Sequence, residues 1–504
     1  MVNNRNILRV AILLSYVVIT LFLVYGIGAL FSYLNTGADR SKMLHTELKK
    51  IDQYLPELVW APLRNEGRQM NDQTLSEIEN DYLDAWYVRH VAYKTNLKAG
   101  IEDYYTESAR KNIFHILEQN KLKNISIDAT TLEHHLTLDF FSEDGQLIVL
   151  TDANVLEYKR IYKNKKIVLE TYETATYKII MLLEDGFWRI RHIIREQVAT
   201  NTTFDTRKID STLALKGINY YPQKTPWDMY GTLFTDSIIK NDFNIIKNSG
   251  LNTIRIFVPY EDFGKANVSA EKLNKLKKVL DNAYINELKV MITLFDFYGD
   301  YSVLNWTLNQ KHAITIVSTF KDHPALLAWD IKNEPDLDFD SRGKLAVKSW
   351  LKRMAVVVKK IDENHPITIG WSDAKSAVNL KEEVDFISFH YYKKPINFKN
   401  TLEQLKLNTS SKQLILTEFG ISSYSGFWNL FSGSEELQAA YYNTMQHQLK
   451  EQNMSFMSWT LYDFNNIPKE VVGKLPWRRN AQEHFGFIDK EGKKKKSFNY
   501  ISTD

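Results

Sequence analysis

The chain has 504 residues, with 64 Lys and Arg against 61 Asp and Glu, so its formal net charge is +3. This length exceeds that of one ordinary domain of roughly 100–250 residues, and the balanced charge offers no basic stretch for nucleic acid. Cysteine is absent, which excludes disulfide bonds, a thiolate nucleophile and cysteine-ligated metal. We therefore expect two folded domains and no nucleic-acid partner.

The N-terminal segment is apolar, and it carries no charged residue between Arg9 and the end of the segment at residue 34. As a helix that rises 1.5 Å per residue, it is long enough to cross a ~30 Å hydrocarbon core. A cleavable signal would have a shorter apolar region of about 7–15 residues. We predict a short cytoplasmic N-terminus at 1–6 and an uncleaved transmembrane helix at 7–34.

A polar stalk at 35–55 leads to a small domain that we place at 56–203. Two stretches with helical spacing of apolar residues, 75–98 and 100–121, come first in this domain. Four runs with a period of two follow, and turn residues separate them: 125–141, 146–161, 166–183 and 188–195. This order predicts an α+β module and resembles the NTF2-like fold.

Two roles are open for this module, which could bind a ligand in its concave face or space the next domain from the membrane. Its histidines on predicted strands, His134, His135 and His192, lack the spacing of a metal site. A structural role is therefore favoured over catalysis.

Residues 204–504 alternate short buried strands with amphipathic helices, which is the pattern of repeated βαβ units. Eight strands are predicted, at 214–219, 253–258, 289–295, 326–331, 367–371, 386–390, 414–418 and 456–461. Eight repeats in a segment of this length predict an α/β fold of the (β/α)8 TIM barrel type. An open doubly wound sheet is the alternative, but no glycine-rich phosphate loop follows the first strand.

Acidic residues stand where two of these strands end. Glu334 follows the fourth strand and Glu418 ends the seventh. Active sites of such barrels lie at the carboxyl ends of the strands, so the two side chains are expected at one mouth. Hydrolysis of a glycosidic bond with retention requires two carboxyl groups about 5–5.5 Å apart. Arg255 and Tyr392 are placed to support an ionised Glu418.

The motifs Asn333-Glu334-Pro335 and Thr417-Glu418-Phe419-Gly420 resemble clan A of the glycoside hydrolases, closest to family 5 and its cellulase-like and mannanase-like members. The resemblance implies that Glu334 is the acid/base and Glu418 the nucleophile. It also implies five substrate-binding or orienting residues: Arg255, Asn333, His390, Tyr392 and Trp459.

The third strand departs from the family pattern. Asp296 stands in the segment where family 5 usually carries a histidine, and it is expected to contact a sugar hydroxyl instead. Several aromatic residues of predicted loops are further candidates for stacking on sugar rings, namely Trp227, Tyr230, Tyr301, Trp306, Trp371, Trp428 and Trp477.

These features predict a retaining β-glycosidase that hydrolyses an extracellular or envelope polysaccharide of the β-glucan or β-mannan type, without metal or organic cofactor. Sugar, linkage and endo versus exo action stay open. The catalytic domain is expected outside the cytoplasm on a single-pass anchor, because its substrate is there. The anchor suggests partners in polysaccharide synthesis or export, where transglycosylation would compete with hydrolysis. The alternative is a non-catalytic carbohydrate-binding or scaffold protein in polysaccharide synthesis or export.

Overall fold

The computed structural model describes residues 4–34, 54–64, 68–200, 214–409, 412–426, 433–473 and 475–502. Residues 1–3, most of the predicted stalk, the predicted domain boundary at 203/204 and Trp428 lie outside these ranges.

The first helix, α1 (Asn4–Leu34), covers the predicted anchor, and its large apolar side chains between Leu13 and Leu30 are exposed. Among the residues that the structure describes, no helix has the length and apolar character needed to cross a bilayer. The transmembrane helix at 7–34 therefore stays a prediction.

The N-terminal domain packs three helices against a six-stranded sheet. The helices are α2 (Asp72–Thr95), α3 (Ile101–Tyr104) and α4 (Glu107–Leu122). The strands are β1 (Glu57–Trp60), β2 (Ile125–Thr131), β3 (Glu133–Phe141), β4 (Leu147–Lys163), β5 (Lys166–Glu184) and β6 (Phe187–Thr200). β3 to β6 form an antiparallel meander, β2 pairs with β4, and β1 adds in parallel to β3.

This domain differs from the predicted module in its first strands. The run predicted at 125–141 is divided at Leu132, whose side chain is buried in the core of the second domain. The four-residue strand β1 was missed, since so short a segment carries little periodicity. His134 is buried and lies 2.5 Å from Asp152, which supports the structural role. The resemblance to the NTF2-like fold stays a prediction.

The second domain is a closed barrel of eight parallel strands, which confirms the predicted (β/α)8 fold. Its strands are β7 (Lys216–Asn219), β8 (Thr253–Pro259), β9 (Lys289–Asp296), β10 (Leu326–Asn333), β11 (Ile367–Trp371), β12 (Ile387–Tyr391), β13 (Leu414–Phe419) and β14 (Ser455–Ser458). β14 pairs with β7 and closes the cylinder, so the open doubly wound sheet is wrong.

Helices surround the barrel at most of its crossovers. They are α5 (Asp236–Asn248), α6 (Ala270–Ile285), α7 (Trp306–Phe320), α8 (Lys344–Ile361), α9 (Phe398–Thr409), α10 (Glu435–Glu451), α11 (Lys469–Val472) and α12 (Pro476–Gln482). The described crossover from β11 to β12 has no α-helix and contains only the short 3-10 turn Ser376–Val378. That gap leaves the flank of the barrel open beside α9.

The inside of the barrel is apolar at one end and polar at the other. Six buried side chains fill the N-terminal end: Leu215, Met291, Ala328, Phe386, Ile415 and Met457. Toward the carboxyl ends of the strands, buried polar groups such as Asn219, Arg255 and Asp330 replace them. Any chemistry is therefore confined to the mouth formed by the carboxyl ends.

The two domains are packed against each other. Tyr158 of the N-terminal sheet lies 4.3 Å, ring centre to ring centre, from Trp306 at the start of α7. Glu133 pairs with Arg353 at 3.4 Å and with Lys360 at 2.8 Å, both on α8. The module is docked on the helices that follow the third and fourth barrel strands.

Candidate active site

The two predicted catalytic glutamates meet at the mouth of the barrel. Glu334 follows β10 in a left-handed conformation with φ 45° and ψ 51°, and its backbone N–H donates to the Gly370 carbonyl at 2.6 Å. One carboxylate oxygen each of Glu334 and Glu418 and a ring nitrogen of His390 all lie within 4.8 Å of one another. A strained non-glycine backbone of this kind persists where the surroundings impose it, which occurs mainly at functional sites.

Glu418 is held as an acceptor by two donors. The Tyr392 hydroxyl donates to Oε1 at 2.5 Å, and Arg255 Nη1 donates to Oε2 at 3.3 Å. Although the Tyr392 ring is 42% exposed at the mouth, desolvation of its hydroxyl and the nearby Glu418 charge raise the pKa of Tyr392 well above its ordinary value. The phenol therefore keeps its proton and donates to the carboxylate.

Arg255 is fully buried and joins several groups of the site. Its Nη2 donates to Asn333 Oδ1 at 2.9 Å, and its Nη1 also donates to Asn219 Oδ1 at 3.0 Å. Asp330 accepts from Nε at 3.0 Å and from Nη2 at 2.6 Å. Desolvation opposes the charge of Arg255, but the carboxylates of Asp330 and Glu418 outweigh it and raise the pKa of the guanidinium. The cation is thus fixed beside Glu418.

Two residues of this network were missed at the sequence level. Asp330 also accepts from Thr293 Oγ1 and from the Gly370 backbone N–H, both at 2.9 Å. A Cβ added at Gly370 would lie 2.6 Å from Arg255 Nη2, so only glycine leaves room for the guanidinium. A charged residue inside an otherwise apolar strand was the signal that pointed to Asp330.

His390 is buried beside both glutamates. Its Nδ1 is 3.1 Å from Glu334 Oε1 and 3.9 Å from Glu418 Oε2. Its Nε2 is buried and has no hydrogen-bond partner among the described residues.

A cavity of about 170 Å³ surrounds the glutamate pair. Trp459 lines it and is 5% exposed, as expected for a platform under a sugar ring. Asp296 also lines it and accepts from the Tyr221 hydroxyl at 3.2 Å. All eight predicted site residues are therefore brought together at this mouth.

The predicted aromatic set contributes less to this cavity. Trp227 lines it and packs against Trp459, with ring centres 5.9 Å apart. Four others are buried in packing away from it: Tyr230, Tyr301, Trp306 and Trp371. Trp477 lies in α12 outside the cavity lining. Phe297, a lining residue with φ 57°, was not predicted.

Glu334, His390 and Glu418 also form a cluster with ligand atoms close enough for a metal ion. Arg255 already places a positive charge on Glu418, which would repel a cation there. The arrangement instead suits one carboxylate that attacks a carbon centre and one carboxyl that exchanges a proton.

Comparison with known proteins also relates the barrel to glycoside hydrolases. Residues 215–465 match the family model described as cellulase, glycosyl hydrolase family 5. Mannan endo-1,4-beta-mannosidase F of Aspergillus clavatus is 26% identical over 149 residues, which cover 26% of this chain and 34% of that protein. Mannan endo-1,4-beta-mannosidase 1 of Arabidopsis thaliana is 25% identical over 239 residues, or 38% of this chain and 55% of that protein. The chain thus spans about a third to about half of the length of these relatives.

Among solved structures, an exo-beta-1,4-mannosidase from Opitutaceae bacterium strain TAV5 is 19% identical, with a TM-score of 0.45 over 56% of this chain and 58% of that chain. The family match and the geometry of the two glutamates agree. Through its barrel, the chain belongs to glycosyl hydrolase family 5, the cellulase family.

Proposed function

We propose that this chain is a retaining β-glycosidase that hydrolyses a polysaccharide of the β-mannan or β-glucan type by double displacement. The observation that carries the proposal is the pair of carboxyl groups within 4.8 Å, one of which accepts hydrogen bonds from Arg255 and Tyr392. A separation of about 5 Å leaves no room for a water between carboxylate and sugar, so direct attack by the carboxylate is favoured.

The reaction then has two steps. Glu418 attacks the anomeric carbon and forms a glycosyl ester, while Glu334 gives its proton to the departing glycosidic oxygen. Glu334 next takes a proton from water, which attacks the same carbon, breaks the ester and returns Glu418 to its ionised form. Arg255 and Tyr392 stabilise Glu418 as it leaves.

The substrate class is supported by the family and by the named relatives, which are mannan endo-1,4-beta-mannosidases. The aromatic floor of the cavity fits the flat C–H face of a sugar ring, and Asp296 offers a carboxylate to its hydroxyls. Acceptor sugars would compete with water for the glycosyl ester, so transglycosylation is part of the same proposal.

The first experiment measures release of reducing ends from β-mannan and β-glucan by the full chain in detergent. Glu418→Gln and Glu334→Gln are expected to lower the rate by at least about 10³-fold, since both groups take part in bond making or proton transfer. Glu363→Gln, an exposed glutamate at the far end of α8, is the control and should retain full rate.

Azide distinguishes the two roles. With Glu418→Ala, azide added to an aryl β-glycoside should occupy the vacated nucleophile position and give a glycosyl azide of inverted configuration. With Glu334→Ala, azide should intercept the glycosyl ester and give a product of retained configuration.

Polysaccharide binding without any hydrolysis by the native chain would favour the non-catalytic scaffold instead.

We further propose that residues 7–34 anchor the chain in a membrane, with the barrel on the extracytoplasmic side near polysaccharide synthesis or export machinery. The apolar run after Arg9 and the exposed apolar side chains of α1 support this. The chain should stay in the membrane fraction after carbonate extraction and should be degraded by protease added to spheroplasts. A chain lacking residues 1–34 should be released, and retention of that variant would contradict the anchor.

A further inference from the structure

Two cavities of different size open at the barrel mouth, and Tyr392 lines both of them. The smaller one, of about 170 Å³, holds the glutamate pair and is called the inner cavity here. The larger one, of about 640 Å³, is called the flank groove and runs between the 3-10 turn Ser376–Val378 and α9. The two cavities must receive different parts of the substrate.

The position of the acid/base residue indicates which cavity receives the departing part of the substrate. Glu334 gives its proton to the oxygen of the departing chain, so the departing chain lies on the Glu334 side. Glu334 itself lines the inner cavity, and His390, whose Nδ1 is 3.1 Å from its carboxylate, lines the flank groove beside it. The departing chain is therefore directed into the flank groove, and the sugar that is attacked occupies the inner cavity.

The inner cavity has room for one ring. Its volume of about 170 Å³ is close to the ~150 Å³ cavity that admits a single benzene ring. Val471 and Val472 of α11 and Gln482 of α12 line it, on segments that follow the last barrel strand. The two valine side chains offer no hydrogen bonds to a second sugar, which leaves the Gln482 amide as the polar group of this wall.

The opposite wall of the inner cavity is fixed by the loops after β7 and β9. Tyr221 and Asp296 join these loops through a hydrogen bond of 3.2 Å. Trp227, with φ 62°, packs on Tyr221 and on Phe464, with ring centres 5.2 Å apart in both pairs. These contacts hold the side chains of this wall in place among the described residues of the mouth.

The flank groove is suited to a longer chain. Asn400, Gln404 and Asn408 lie on one face of α9 at a spacing of four residues, along about 12 Å of helix. Lys375 and Lys393 add two ammonium groups to the lining. Such amide and ammonium donors bind sugar hydroxyls, and the groove exists because the crossover from β11 to β12 has no α-helix.

We propose that the enzyme is exo-acting: it takes the single non-reducing terminal sugar into the inner cavity while the rest of the polysaccharide lies in the flank groove. The inference rests on the proposed glycosidase function and specifies how that site meets its substrate. It decides between endo and exo action, which the sequence leaves open.

The test follows the products formed from β-1,4-mannohexaose and cellohexaose labelled at the reducing end. The full chain in detergent should release only monosaccharide at first, so that the first labelled product is the pentasaccharide. Labelled di- or trisaccharide during the first tenth of the reaction would show internal cleavage and overturn the inference while the glycosidase function stands. No turnover of these substrates, of aryl glycosides or of the polymers would overturn both.

Two sets of variants test the two cavities separately. Val471→Ala/Val472→Ala should open the inner cavity and add disaccharide to the first products. Gln404→Ala should raise KM for the hexasaccharide about fivefold, the effect of one lost hydrogen bond. Glu403→Ala, the adjacent α9 residue outside the groove lining, is the matched control. An unchanged KM for Gln404→Ala would place the departing chain elsewhere.

Discussion

At the scale of single residues, the donors to Glu418 decide how well it leaves the glycosyl ester. Tyr392→Phe removes the hydroxyl that donates to Oε1 at 2.5 Å. A hydrogen bond to a charged group is worth about 1.5–3 kcal/mol, so kcat should fall roughly 10- to 100-fold. Steady-state kinetics on an aryl β-glycoside measure the effect.

The neighbouring residue provides the control for this prediction. Tyr391 donates its hydroxyl to the Lys394 carbonyl at 2.8 Å and does not contact Glu418. Tyr391→Phe should therefore leave kcat within about twofold of the native value, since it touches no reacting group. Equal losses in the two variants would mean that Tyr392 acts only through packing.

Gly370 gives a second prediction at this scale. A methyl group at this position would lie 2.6 Å from Arg255 Nη2 and 3.0 Å from Asp330 Oδ2, so Gly370→Ala must displace the guanidinium. We expect kcat/KM to fall at least about tenfold, as removal of one charge-assisted hydrogen bond to Glu418 would produce. Gly26→Ala is the control, because this residue lies within helix α1 and no atom lies within 4 Å of its added Cβ. Equal kcat/KM for both variants would contradict the close approach.

The site residues that the sequence predicts are those at strand ends, where polar groups follow an apolar run. Glu334, Glu418 and Tyr392 stand out in this way. Asp330 and Gly370 lie within strands and act through contacts across the barrel. The local sequence marks Asp330 only as a charge in an apolar strand, and it does not mark Gly370 at all. Trp227 is one of the loop aromatic residues that the sequence predicts, whereas Phe297 was missed. Its backbone is left-handed, a conformation that non-glycine residues adopt rarely and that sequence patterns do not show.

At the scale of elements, Asp242 links α5 to the two barrel segments beside it. It accepts from the Tyr220 hydroxyl at 2.7 Å and from the Tyr462 hydroxyl at 2.6 Å. Burial raises the pKa of Asp242 from 3.8 to about 6, although both hydroxyls oppose the shift. The folded state favours the protonated carboxyl, so Asp242 makes its full contribution to the free energy of unfolding below its ordinary pKa. This contribution is lost as the pH rises through about 6.

The measurement is the free energy of unfolding in denaturant at several pH values between 4 and 7. Between pH 4 and 7 the ionisation of Asp242 should lower the free energy of unfolding of the native chain by on the order of 2–3 kcal/mol, and Asp242→Asn should lack this decrease. Asp322→Asn, an exposed aspartate after α7, should keep the native pH dependence. If the two variants follow the same curve, the buried carboxylate of Asp242 is not the group that titrates.

Barrel elements are predictable because each strand is buried on both faces and reads as an apolar run between turns. The strand at 367–371 is found where the sequence places it, and the last strand ends earlier than predicted, at Ser458. The break at Leu132 has another cause. Its side chain belongs to the core of the other domain, and one sequence gives no sign of such a contact.

At the scale of the whole molecule, docking of the two domains is the feature that the sequence could not predict. The module was expected either to bind a ligand or to act as a spacer. The structure shows buried contacts between the domains, in which Arg353 is 3% exposed, donates to Tyr172 and lies 3.4 Å from Glu133. Desolvation opposes the charge of Glu133, but Lys360 and Arg353 outweigh it and lower the pKa of that carboxyl. The interface therefore holds ionised partners.

Arg353→Ala should uncouple the two domains. It leaves Glu133 without one of its cations inside the interface, and breaking a buried ion pair costs about 3–5 kcal/mol. Lys352→Ala, on the adjacent residue of α8, removes an exposed pair with Glu383 that is worth about 0–1 kcal/mol. In calorimetry the native chain and Lys352→Ala should unfold in one transition, whereas Arg353→Ala should show an earlier, separate transition. A single transition at the native Tm for Arg353→Ala would mean that the apolar contact between Tyr158 and Trp306 is sufficient to hold the domains together.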